Sequence, residues 1–107
     1  MKKTTLICAL SLLAFFIAGV SASAQDGATL YVYKFCTTCH GQKGISIAPN
    51  YPNLAKQNER YLVKQVKDII AKKRANKLTP LMTEHPIVTG IKDEEIAAIA
   101  AHLTNIK

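Results

Sequence analysis

The chain has 107 residues, 49% hydrophobic and 20% charged, which suits one small globular domain and excludes a disordered or fibrous chain. Fourteen Lys and Arg stand against seven Asp and Glu, a net charge of +7 that favours an acidic partner and says nothing about the fold. Three cysteines are too few for a disulfide framework, and there is no Trp.

The first element is an export signal. Met1-Lys2-Lys3 is basic, residues 6–20 form a run of apolar and small residues, and Ala22-Ser23-Ala24 has the small-x-small pattern that signal peptidase reads. The run is 15 residues long, whereas a bilayer-crossing helix needs about 20. Residues 1–24 therefore read as a cleaved signal peptide, with an uncleaved anchor as the alternative. Cys8 lies inside the run and leaves with it. A mature chain of 83 residues, Gln25 to Lys107, keeps a net charge of +5 and only Cys36 and Cys39. A domain so small needs a staple, and a disulfide between cysteines three apart closes too short a loop to supply it.

Four stretches follow. Ala28 to Phe35 is apolar and aromatic, with Leu30, Tyr31 and Val32 as its expected buried group; eight residues do not separate helix from strand. Cys36 to Asn53, with Gly41, Gly44, Pro49 and Pro52, reads as a loop. Asn58 is an N-cap for a helix running to about Arg74, with Leu62, Val66, Ile69 and Ile70 facing inward and Lys64, Lys67 and Lys72 on other faces. From Ala75 to Gly90 no period is sustained, and Pro80 and Pro86 exclude a continuous helix. Asp93, Glu94 and Glu95 then load the first turn of a last helix, whose inward positions are Ile96, Ile99, Ala100, Leu103 and Ile106. No hairpin signal or internal repeat appears. The reading is all-α.

Cys36-Thr37-Thr38-Cys39-His40 is C-x-x-C-H, the signature of covalent c-type haem attachment. Two thiols add across the haem vinyl groups, the two-residue spacer lets both sulfurs reach one edge of the porphyrin, and His40 is held beneath the iron as proximal ligand. The apolar plate also completes the core, since burial contributes roughly 25 cal/mol per Å². Three other readings compete. A thioredoxin-like dithiol wants a βαβ context, a zinc site wants a second close ligand pair where His85 and His102 are far apart, and a plain disulfide is the third.

With that motif in place, residues 25–107 resemble a small class I c-type cytochrome of the bacterial periplasmic, monohaem kind. Gly27-x-x-Leu30-Tyr31 precedes the motif as the family's N-terminal helix does. Pro52-Asn53-Leu54-Ala55 is similar to its Pro-x-Leu stretch, Tyr61-Leu62-x-x-Gln65 to its middle helix, and residues 93–103 to its C-terminal helix. Two positions depart from the pattern. His102 stands where the family has an aromatic residue at the crossing of the terminal helices, and reads as a packing variant. Lys92 stands where a Ser or Thr cap is usual, leaving Asp93 or Thr89 to cap.

The resemblance implies a helical fold around one haem c, with iron held by His40 and by Met82, the one methionine of the mature chain. It also implies a proline carbonyl on His40, that of Pro52, with Pro49 as the alternative. Met82 could instead only pack, with the iron open or bound by His85; otherwise His85, followed by Pro86, reads as a surface residue. A thioether ligand raises the reduction potential. The expected function is a periplasmic one-electron shuttle, not an enzyme. The competing functions are a haem-based ligand sensor or enzyme and a cytochrome subunit of a larger redox complex. Residues 56–77 hold eight Lys or Arg against two acidic residues, a patch suited to steering an acidic redox partner or merely a solvated face. No nucleic acid or stable membrane insertion is expected after cleavage.

Overall fold

The computed structural model describes residues 26–76 and 78–107, so the signal segment 1–24 and Lys77 lie outside the described residues. Asp26 opens helix α1 (Gly27–Tyr33), its carboxylate accepting from the Ala28 N–H at 3.1 Å and from the Thr29 hydroxyl at 3.1 Å. Cys36–His40, expected as loop, is a single helical turn, α2. Five residues are too few to show a period, and this turn forms because Phe35 adopts a left-handed φ of 62° and redirects the chain after α1.

Helix α3 (Glu59–Ile70) starts where expected, with the Asn58 side chain accepting from the Tyr61 N–H at 3.1 Å. It stops four residues short of the expected end at Arg74. Lys72 takes a left-handed φ of 58°, its N–H bonds the Ile69 carbonyl at 3.0 Å, and the Lys73 N–H bonds the Asp68 carbonyl at 2.8 Å. Those two bonds define a Schellman stop, built here on lysine where glycine would have announced it.

Between α3 and the last helix, Pro80 and Pro86 each open a four-residue helix, α4 (Pro80–Thr83) and α5 (Pro86–Thr89), where proline is tolerated because the first N–H has no helical acceptor. Helix α6 (Asp93–Thr104) closes the chain. Neither Asp93 nor Thr89 caps it: Lys92 is the N-cap residue, and its N–H donates to the Glu95 carboxylate at 2.9 Å, half of a capping box. Ile106 lies just past the helix and is half-buried.

The core sits where α1 and α3 both pack on α6. Leu30 and Tyr31 from α1, Leu62 from α3, and Ile99, Ala100 and Leu103 from α6 are buried together. Val32, expected with Leu30 and Tyr31, is 58% exposed, because the next 100° of helical rotation carries it off the face that meets α6. The crossing of α1 and α6 depends on Gly27. A Cβ there would lie 2.0 Å from the Ala98 carbonyl oxygen and 2.9 Å from the His102 Cβ. His102 packs beside Tyr31 with ring centroids 5.9 Å apart, so the departure at this position is a packing partner. Among the described residues no strand occurs, and no helix is long and apolar enough to cross a membrane.

Candidate cofactor site

The C-x-x-C-H turn lies at the corner between α1 and the loop that follows. Within it Cys36 and Cys39 are both free, half-buried thiols. Burial pushes the Cys36 thiol up to about 11, which keeps it neutral against the apolar core. Among the described residues no three His, Cys, Asp or Glu side chains gather as a metal cluster.

His40 ends α2 and is 7% exposed. Its Nδ1 lies 2.9 Å from the Pro52 carbonyl oxygen. A carbonyl only accepts, so Nδ1 carries a proton, and in the neutral ring this leaves the lone pair on Nε2, the tautomer that ligates a metal. The Tyr51 ring meets His40 edge-on at 6.4 Å.

Cross-ties hold the loop that carries Pro52. The Gly44 carbonyl accepts from the Leu54 N–H at 2.7 Å and the Ala55 N–H at 3.1 Å, and the Asn53 side chain accepts from the Ser46 N–H at 2.8 Å. Gly41 has φ of 77°, and a Cβ there would meet the Ile45 carbonyl oxygen at 1.9 Å, so no other residue fits that bend. The buried Tyr31 hydroxyl donates to the Gly41 carbonyl at 2.7 Å. Desolvation pushes that hydroxyl up to about 12, so it remains a neutral donor at any ordinary pH.

A cavity of about 680 Å³ opens beside this turn, within the range of cofactor sites. Cys36, Cys39, His40 and Met82 all line it, in a wall that is otherwise mostly apolar. α2 approaches from the side of α1, and α4, which carries Met82, from the side of α3. Part of the wall is polar, and the sequence did not point to it. Tyr61, Gln65, Arg74 and Asn76 contribute to it, with the Arg74 guanidinium donating to the Gln65 side chain at 2.9 Å. The Lys72 turn makes this possible by folding the chain back over α3.

His85, read from the sequence as a surface residue, is instead half-buried in the same wall. Its ring packs beside Phe35 at 6.0 Å, and its buried Nδ1 has no hydrogen-bond partner among the described residues.

Helices crossing at a glycine, an imidazole held by a carbonyl and two thiols one turn apart on a mostly apolar cavity define a small haem-binding helical protein. The family model described as Cytochrome c matches residues 24–107. A cytochrome c4 of Pseudomonas aeruginosa is 39% identical over 90 residues, covering 84% of this chain and 40% of that protein. Cytochrome c-554(548) of Halomonas halodenitrificans is 40% identical over 70 residues, covering 65% of this chain and 82% of its own. A protein named thiosulfate dehydrogenase electron acceptor, from Stutzerimonas stutzeri, is 33% identical over 98 residues, covering 84% of this chain and 43% of that protein. The chain spans about 40% of the length of the cytochrome c4 proteins it matches. It belongs to the cytochrome c family, as a c-type cytochrome of class I.

Membership implies covalently bound haem c, and the residues present fit that group. Two thiols and an imidazole with a free Nε2 share one largely apolar wall, and Arg74 adds a cation suited to the haem carboxylates.

Proposed function

We propose that the chain is a one-electron carrier of the periplasm, holding a single haem c through Cys36 and Cys39. The His40 Nε2 and the Met82 sulfur would hold its iron. The observation that carries this reading is the shared cavity wall of Cys36, Cys39, His40 and Met82. When bound, the haem supplies a ferric/ferrous couple. The Pro52 carbonyl fixes the His40 ring plane and raises its basicity through Nδ1–H. The Met82 thioether would hold the iron against solvent-borne ligands and would favour the ferrous state of the bound haem. Leu62, Val66 and Ile99 in the wall exclude water.

The export signal read over residues 1–24 supports the periplasm, and the relative named as an electron acceptor supports a redox-protein partner. A partner with acidic groups suits the exposed Lys56, Arg60, Lys72 and Lys73. The patch is weaker than its charge count suggests, because Lys64 pairs with Asp68, Lys67 with Asp93 at 3.0 Å, and Arg74 is turned to the cavity wall.

Spectra of the purified protein test the reading. Expected are an intact mass heavier than the mature chain by one haem and a weak sulfur-to-iron band in the ferric form. Rapid carbon monoxide binding to the reduced protein would overturn the carrier assignment.

A further inference from the structure

The distal side of the cavity holds two groups able to ligate iron, and the proposed function uses only one. Met82 and His85 both line the cavity, and among the described residues His85 is the one histidine there besides His40. Thr83 and Glu84 continue the turn from Met82, and the His85 N–H donates to the Met82 carbonyl at 3.2 Å. Positions three apart on such a turn are neighbours, about 5–6 Å between Cβ atoms.

The three histidines of the chain differ in what holds them. His40 is fixed by the Pro52 carbonyl, and His102 lies against Tyr31 at the helix crossing. Among the described residues the His85 Nδ1 has no hydrogen-bond partner although it is buried, and its ring lies beside that of Phe35. A buried polar nitrogen left unpaired carries a desolvation cost that no structural bond offsets. Among the described residues no hydrogen bond has to break for this ring to turn.

The backbone that carries both groups is also loosely tied. Among the described residues, every hydrogen bond of 78–91 closes within residues 76–91, whereas the proximal loop is bonded to α1 and α6. Segments with few ties to the rest of a fold open at the lowest free energy.

We propose that His85 is the reserve distal ligand: where the Met82 sulfur leaves the iron or is removed, the His85 imidazole takes its place. The inference rests on the His40/Met82 ligation proposed above. In the exchange the iron–sulfur bond breaks and an iron–nitrogen bond forms. A lone pair of neutral imidazole replaces one of the thioether, and no electron or proton is gained or lost. The product is a bis-histidine site of lower reduction potential.

The test compares haem-loaded wild type, Met82→Ala, His85→Ala and the double variant at one neutral pH, by electron paramagnetic resonance and carbon monoxide binding. Met82→Ala is expected to lose the sulfur band yet remain low-spin with two imidazoles, while the double variant becomes high-spin. If His85 holds the iron in roughly nine molecules of ten, carbon monoxide associates about tenfold more slowly with Met82→Ala than with the double variant, since only the open fraction binds. Met82→Leu, which keeps the apolar volume, carries the same comparison if the alanine variant does not retain haem.

A high-spin Met82→Ala, or a low-spin form that persists in the double variant through a lysine amine, overturns the role of His85. His85→Ala alone is expected to keep the sulfur band. A wild type that lacks the band overturns the Met82 assignment itself, which separates the two failures.

Discussion

Gly27→Ala tests the helix crossing on which the fold is built. The added Cβ would sit 2.0 Å from the Ala98 carbonyl oxygen, 2.7 Å from its carbon and 2.9 Å from the His102 Cβ. Two of these atoms are backbone of α6, so no rotamer change relieves the contact. α1 has to withdraw by roughly 1 Å or more to restore ordinary non-bonded separation. That movement loosens Leu30 and Tyr31, the two most deeply buried large side chains. Overpacking costs typically 1–3 kcal/mol, and the gain in helix propensity from Gly to Ala returns less than about 1 kcal/mol. The net expectation is a loss of about 2 kcal/mol, a fall in the unfolding temperature on the order of 10 °C for a domain of this size. The assay is thermal unfolding of the haem-loaded protein, followed by far-ultraviolet circular dichroism and by haem absorbance together. An unfolding temperature equal to or above that of the wild type would refute the argument that α1 and α6 touch backbone to backbone.

Four further outcomes follow from other parts of the structure. Lys72→Gly should raise stability by up to about 1 kcal/mol, because a left-handed residue with a side chain costs roughly 1–2 kcal/mol and glycine returns part of that in unfolded-state entropy; a lower denaturant midpoint would contradict it. Tyr31→Phe removes a buried bond to the Gly41 carbonyl, which still accepts from the Gly44 N–H, so the expected loss is about 1 kcal/mol, read by chemical denaturation. Cys36→Ala with Cys39→Ala should yield an exported chain that fails to fold compactly; a cooperative melt with full helical signal would show that the protein core suffices alone. The Ala28 N–H holds the Asp26 carboxyl below its ordinary value of 3.8, and the Lys92 N–H, with Lys34, holds Glu95 below 4.5. Both depressed groups stabilise the fold fully above those ordinary values and lose that contribution as pH falls below them and through the lower folded-state values, so acid should lower the unfolding temperature less steeply in Asp26→Asn with Glu95→Gln.

The C-x-x-C-H motif was the most legible part of the site and long-range placement the least. C-x-x-C-H announces its own purpose because its members are consecutive, and the start of α3 is equally local, one Asn accepting from a backbone N–H three residues on. The end of α3 was misread because its left-handed stop falls on Lys72, where side-chain type gives no notice. That misreading hid a second feature: only after the chain reverses at Lys72 does Arg74 come beside Gln65, nine positions earlier. The contact between the Pro52 carbonyl and His40 spans twelve positions, so the proline could be named through resemblance to a family but not from its neighbours. His85 was misplaced for the same reason, its burial depending on Phe35 fifty residues away.

The two sides of the cavity differ in how they are held, and this difference bears on which ligand can change. On the proximal side, Tyr31 ties Gly41 to α1, Gly44 ties the loop to itself, the Lys56 N–H donates to the Leu103 carbonyl at 2.8 Å, and the Thr104 hydroxyl donates to the Gln57 carbonyl at 2.8 Å. His40 is therefore anchored to the terminal helices, the part of the fold with the most buried apolar surface. The distal segment neighbours α3 and turns Leu78, Leu81 and Met82 to the cavity wall, so its position depends on what those side chains close upon. A haem bound in the cavity adds apolar contact to both sides, but it restrains the distal segment more, because that segment has fewer bonds of its own to the rest of the protein. On the His40/Met82 ligation proposed above, exchange at the iron would belong to Met82 and its neighbours, while His40 would keep its place.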